Sequence, residues 1–237
     1  MFKRNNTAKH RFKQAGFWLL LSGVFICILL WRESTLLQKP EIKALTSAPS
    51  NYSQPFIEAS DRSFAYRLLL FWLQQFDVQS GQYVSYRQLN YTRVIGWLDL
   101  LSRMEPESQY PMLLATRIYT KVADPDRKRL MLNYVFESYK LNPVKNWRWL
   151  AEATITAMHS LNDLELALVY ATALANDNNR EVPYWAKDLR LLILEGMGEV
   201  EQVKLLVGGL LANKTITDEN EIRFLGILLN RLQKNDK

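Results

Sequence analysis

An all-α fold is expected for this 237-residue chain on three observations. From Asp61 to the C-terminus, apolar residues recur every three or four positions, the period of an amphipathic helix. No stretch alternates long enough to build a sheet, and the best strand candidate, Tyr83-Val84-Ser85-Tyr86, is too short to matter. Short turn signals separate the apolar stripes, which forces consecutive helices to lie antiparallel and adjacent.

The residues before Asp61 follow a different logic. Lys3, Arg4, Lys9, Arg11 and Lys13 make residues 1–14 a basic tail, and the remainder is nearly balanced, with 25 basic against 24 acidic residues. A nucleic-acid surface needs clustered phosphate-neutralising charge, so no nucleic-acid partner is expected. Ala15 to Trp31 carries no charged residue. Its helical length of roughly 25 Å approaches the ~30 Å hydrocarbon core of a bilayer. Arg32 can snorkel, Leu36-Leu37 extend the apolar character, and Trp18 and Trp31 sit where indoles favour the headgroup boundary. Residues 15–37 are therefore expected to be a single-pass transmembrane anchor. The positive flank predicts a cytoplasmic N-terminus in the inner (plasma) membrane and a periplasmic or otherwise extracytoplasmic domain. Trp31-Arg32-Glu33-Ser34-Thr35 lacks the small-residue cleavage site of a signal peptide, which predicts a retained anchor. Cys27, the one cysteine, falls inside this span, so neither a disulfide framework nor a cysteine metal cage is expected. Residues 38–60, with Pro40, Pro49 and Pro55, have the composition of a tether with a coil dimension of about 25 Å.

Residues 61–237 are expected to form the helical domain. Asp61 caps a helix through Phe64, Leu68, Phe71 and Trp72 to Phe76, and Gly81 falls in the turn beyond. Val94, Trp97, Leu98, Leu101 and Met104 form the stripe of a second helix, ended by Pro106. Pro111 opens a third. Asp124-Pro125-Asp126 starts a fourth with Leu132, Val135, Phe136 and Tyr139, which Leu141-Asn142-Pro143 closes. A fifth spans about Trp147 to Ser160. Asn162-Asp163 starts a sixth, apolar on most sides from Leu164 to Leu174 and hence buried. Pro183 begins a seventh; Gly196-Met197-Gly198 separates it from an eighth carrying Val200, Val203, Leu206, Val207 and Leu210. Asp218-Glu219-Asn220-Glu221 has capping-box spacing ahead of Ile222, Leu225, Leu229 and Leu232.

Asp124, Asp163 and Glu199 each open the second helix of a pair, at spacings of 39 and 36 residues. A recurring two-helix unit of this size marks an α-solenoid. The turn Ala123-Asp124-Pro125-Asp126, the closing Leu141-Asn142-Pro143, the start Asn162-Asp163-Leu164-Glu165-Leu166-Ala167 and, more loosely, Gly198-Glu199-Val200-Glu201 resemble the tetratricopeptide-repeat superfamily, here as a membrane-anchored bacterial member. The likeness covers roughly Tyr110 to Ala212, with Lys128 standing where a small residue is usual. It implies TPR-like stacked antiparallel helical hairpins and a binding or assembly role, because such folds present a surface to a peptide or partner protein.

No catalytic constellation emerges. His159 lies near a helix end, where an imidazole favours the dipole. Gly208 to Thr215 mimics a phosphate loop but has Asn213 in place of the required glycine and no preceding strand. Gly196-Met197-Gly198 lacks the third glycine of a dinucleotide fingerprint. Glu105 and Glu107 flank Pro106 in a turn, where neither acquires a raised pKa. No cofactor, metal or enzymatic activity is expected. Aromatic residues make up 12% of the chain, and binding surfaces favour Trp, Tyr and Arg. Trp147-Arg148-Trp149 sets two indoles about 200° apart, so one faces inward and the other outward. Arg117, Tyr119, Tyr139, Trp147, Arg148, Trp149 and Tyr184 are the candidate partner-binding residues. The function expected is an envelope scaffold or assembly factor that binds another protein or peptide. The alternatives are a cell-wall glycan enzyme using a carboxylate in an aromatic cleft, and a structural subunit assembled through its membrane helix.

Overall fold

Local hydrogen-bond acceptors decide where the helices begin. The computed structural model describes Trp18, residues 21–30, Arg32, and residues 44–49, 61–76, 89–213 and 216–234. All regular structure among these residues is helical. We label the helices α1 (Arg62–Gln75), α2 (Tyr91–Met104), α3 (Tyr110–Leu113), α4 (Pro125–Leu141), α5 (Pro143–His159), α6 (Leu164–Ala175), α7 (Tyr184–Gly196), α8 (Val200–Ala212) and α9 (Glu219–Lys234). α3 continues through a π turn, Leu114–Ile118, and a 3-10 turn, Tyr119–Lys121.

Six helices start on a side chain that accepts from the orphan N–H groups of the first turn. Asp61 accepts from Ser63 N at 2.9 Å, Asn90 from Arg93 N at 3.1 Å and Asp124 from Asp126 N at 3.0 Å. Asn142 accepts from Lys145 N at 3.2 Å, and Asp163 from Leu166 N at 3.0 Å. Asp218 does the same for α9, at 2.8 Å from Asn220 N, but Glu221 does not close the expected capping box. Its side chain turns inward instead and meets Asp188.

The chain divides into two units, Met1–Lys43 with Gln79–Gln82, and Ala44–Val78 with Tyr83–Lys237. In the first, residues 21–30 are helical and exposed. Among the described residues no helix is long and apolar enough to cross a membrane. The expected anchor is described only at Trp18, residues 21–30 and Arg32. The basic tail, Gly81 and Tyr83 to Tyr86 lie outside the described residues.

In the second unit the helices pack as neighbours along the chain. The first helices of successive pairs are linked to one another: Arg117 of the π turn reaches Glu152 of α5, and Arg231 of α9 reaches Glu195 of α7 at 2.7 Å. The second helices are linked likewise, through Tyr170 Oη donating to Asn133 Oδ1 at 2.7 Å and Arg129 to Asp163 at 2.9 Å. These pairs are 34 to 37 residues apart, so the two-helix period is written in the contacts themselves. One large apolar core runs from α1 to α7, and a smaller one joins α7, α8 and α9. Lys128 is buried along its stem and places Nζ 2.6 Å from Ser160 Oγ, which explains how a lysine fits where a small residue was expected.

Two hairpin turns use the same device. Asn162 has φ 55° after α5, and Gly198 has φ 84° after α7. In each the following acid's N–H returns to the helix, Asp163 N to Ala157 O at 3.0 Å and Glu199 N to Leu194 O at 2.9 Å. Left-handed backbone favours glycine and, next, asparagine. Residues 44–49, inside the stretch read as a tether, lie against α2 with Leu45 only 3% exposed. Composition marks the stretch as coil, and Leu45 together with side chains of α2 that donate to its main chain seats it.

Gly198→Ala places a Cβ on a left-handed residue and is expected to destabilise the domain by roughly 1 kcal/mol. Asn162→Gly is expected to be neutral or slightly stabilising. Paired thermal melts followed by helical ellipticity check both.

Candidate partner-binding face

Arg117 sits on the π turn, where one extra residue enters the helical repeat, and such turns concentrate at functional sites. Its guanidinium forms a two-pronged ion pair with Glu152 of α5, with Nε 2.9 Å from Oε2 and Nη2 close to Oε1. The same group lies 5.9 Å from the ring centre of Trp149, whose Nε1 donates to Gln109 Oε1. The hydrogen bond to Glu152 and its charge raise the Arg117 pKa above the ordinary arginine value. Beside the pair is a cavity of about 260 Å³ lined by Thr116, Thr120, Lys121, Ile155, Thr156 and Ser160. Hydroxyls and one cation therefore surround an exposed ion pair, a lining suited to polar groups of a partner.

Farther along the chain, Trp147 of α5 and Trp185 of α7 meet edge to face with ring centres 6.1 Å apart. Arg148 lies 5.7 Å from the Trp147 ring. Trp185 is 52% exposed and its neighbour Tyr184 36%, so this aromatic pair is anchored on one side and open to solvent on the other. Large apolar side chains also stand exposed on the first helices of the pairs: Tyr110 on α3, Ile155 on α5, Leu192 on α7, and Phe224 and Ile227 on α9. A surface that mixes exposed aromatics with arginine has the composition of a protein-binding centre.

Not every expected residue reaches that face. Trp149 points inward and Trp147 is half-buried, the split that the 200° separation requires. Tyr119 is a core residue: its ring stands edge-on to Tyr91 at 6.3 Å, and its carbonyl accepts from Tyr91 Oη at 2.9 Å. Tyr139 is buried as well. Its hydroxyl donates to Asp177 Oδ2 at 2.8 Å and faces Ala173 O at 3.2 Å, which ties the α6–α7 connection to α4. Burial, then the Asp177 carboxylate, raise the Tyr139 pKa far above the ordinary phenol value. Tyr119 and Tyr139 thus hold the core together and contribute no binding surface.

Glu152, Gln109 and Trp185 join the site without having been singled out in the sequence. The signal that could have found Glu152 is oppositely charged residues at the repeat spacing, shared by Arg117/Glu152, Arg129/Asp163 and Glu195/Arg231. A second unforeseen feature is Asp188 of α7 facing Glu221 of α9, 7% and 8% exposed respectively. Burial raises both carboxyl pKa values, and each carboxyl's partner is the other. Two buried carboxyls cannot both ionise cheaply, so they share a proton. Among the described residues no cluster of three or more His, Cys, Asp or Glu could hold a metal ion.

Both raised carboxyls keep their protons to higher pH in the fold than in the unfolded chain. The folded state then binds more protons over that interval, and the pair's contribution is lost as pH rises through it. Asp188→Asn keeps the hydrogen bond without the charge. Its melting temperature is expected to fall less than that of the parent between about pH 5 and about pH 9. A parallel pair of pH-melting series reads this difference directly.

No family model, no curated protein and no solved structure matches this chain.

Proposed function

We propose that this protein is a single-pass membrane protein of the cell envelope whose tetratricopeptide-like helical domain binds a partner protein or peptide and acts as a scaffold or assembly factor. The observation that carries this is the open aromatic pair Trp147/Trp185 with Arg148, in which α5 supplies Trp147 and Arg148 and also the Glu152 that pairs with Arg117. Helical pairs with a 34 to 37-residue contact period favour a solenoid, and solenoids use their stacked helices as extended docking surfaces. The uncharged stretch from Ala15 to Trp31 behind five basic residues favours a bilayer anchor with the domain outside the cytoplasm. Neither a cofactor nor a nucleic acid enters this reading.

One observation favours a second reading. Asp188, with its raised pKa, lies one helical turn beyond Trp185 and would suit an acid in a glycan-acting enzyme. Its burial against Glu221 argues for a structural pair instead, since an acid catalyst must reach the scissile oxygen.

The test is crosslinking and affinity capture with the full chain in its native membrane. Trp185→Ala and Trp147→Ala are expected to abolish capture of a specific envelope partner, while Arg117→Ala weakens it and leaves thermal stability almost unchanged, as exposed ion pairs do. Replacing Ala15–Trp31 by an unrelated apolar helix is expected to be tolerated. Identical capture by the parent and by Trp185→Ala would remove the aromatic face from the account. Glycan turnover abolished by Asp188→Asn would establish the second reading.

A further inference from the structure

The segment seated on α2 is held in an unusual way. Arg93 Nη1 donates to the carbonyl of Leu45 at 2.6 Å, and one turn later Trp97 Nε1 donates to the carbonyl of Thr46 at 2.9 Å. Both polar contacts reach main-chain oxygens, so they grip a peptide whatever its side chains at those positions. Two positions are read by shape. Leu45 enters the apolar core, and Ala48 lies over Gly96, where its Cβ is 3.6 Å from the position a Cβ on Gly96 would take. Thr46 and Ser47 between them are exposed and unread. The glycine thus leaves room for a small residue at the fourth position of the seated peptide and little room for anything larger.

The contacts are made to main-chain oxygens and one apolar side chain, as a seated peptide makes them. Eleven residues, 50–60, separate it from Asp61, the cap of α1, so the segment can leave the surface with no obligatory change in the helix that follows. A vacated site would present the Trp97 indole, the Arg93 guanidinium and the leucine socket together.

We propose that the surface of α2 around Arg93, Gly96 and Trp97 is a peptide-binding site, that residues 44–49 occupy it as an autoinhibitory strap, and that a partner protein's segment of the same pattern, leucine followed three residues later by alanine or glycine, exchanges with the strap. Being tethered, the strap competes at an effective concentration in the millimolar range, so an incoming segment binds weakly until the strap is released. The site is distinct from Arg117, Trp147 and Trp185, and it stands or falls independently of the function proposed for them.

The probe is a fluorescent octapeptide with the sequence of residues 43–50, titrated by anisotropy into the full-length protein in detergent. Two variants release the strap by different routes: Leu45→Asp empties the socket, and Ala48→Glu collides with Gly96. Both are expected to bind the octapeptide at least about 10-fold more tightly than the parent chain. Adding Trp97→Phe to Leu45→Asp is expected to lose most of that gain, and an octapeptide carrying aspartate in place of its leucine is expected not to bind. Equal affinity for parent and released variants would overturn the proposal. So would loss of helical ellipticity in both released variants, because the segment would then be a permanent part of the core.

Discussion

Small residues at the contacts between the central helices set the spacing on which the rest of the domain depends. Ala151, Ala153 and Ala157 on α5, Ala167 and Ala171 on α6 and Ala186 on α7 are all fully buried. A methyl group at each contact lets neighbouring helices approach closely, and close approach brings polar side chains on adjacent pairs within hydrogen-bonding reach. Tyr170 to Asn133, Arg129 to Asp163 and Lys128 to Ser160 all span pairs that this packing draws together. A leucine at any of these alanines would have to displace a neighbouring helix, since interiors at crystal-like density hold no spare volume.

Within that frame the aromatic residues divide into two kinds of work. Tyr139, Tyr170 and Trp149 are buried with their polar atoms directed at particular partners, Tyr119 packs edge-on against Tyr91, and together they fix one helix pair against the next. Trp147, Trp185 and Tyr184 lie at the opening turns of α5 and α7, where the helices have just emerged from their caps and fewer neighbours surround them. The same residue types thus serve as mortar in one place and as exposed surface in another, and the face of the helix they occupy decides which.

Much of this was legible in the sequence because it is local. Asp61, Asp124, Asp163 and Asp218 announce helix starts through an interaction two or three residues long, and Pro143 and Pro183 mark boundaries by backbone restriction alone. The inward turn of Trp149 follows from helix geometry. What stayed hidden needs tertiary contact. Tyr119 lies in the core, and nothing in the sequence shows that α3 passes through a π turn before reaching it. Glu221 looked like half of a capping box, since its spacing from Asp218 is right, yet a buried carboxyl 33 residues upstream claims its side chain. Glu152 joins the site through a partner 35 residues away, and Leu45 sits in a stretch whose composition alone reads as tether.

α7 lends Leu189 and Ile193 to the large core and Leu191 and Leu194 to the small one. The two bodies of side chains therefore meet along α7, with Leu168 of α6 touching both, and α8 with α9 packs its buried apolar residues against that side. Heat or denaturant acting on such an arrangement is expected to dissolve the terminal pair as its own cooperative block before the remainder gives way. Native-state hydrogen exchange would register that as a distinct opening free energy for residues beyond Gly198. The protein then carries, at the end farthest along its chain, a segment that can yield without the whole coming undone.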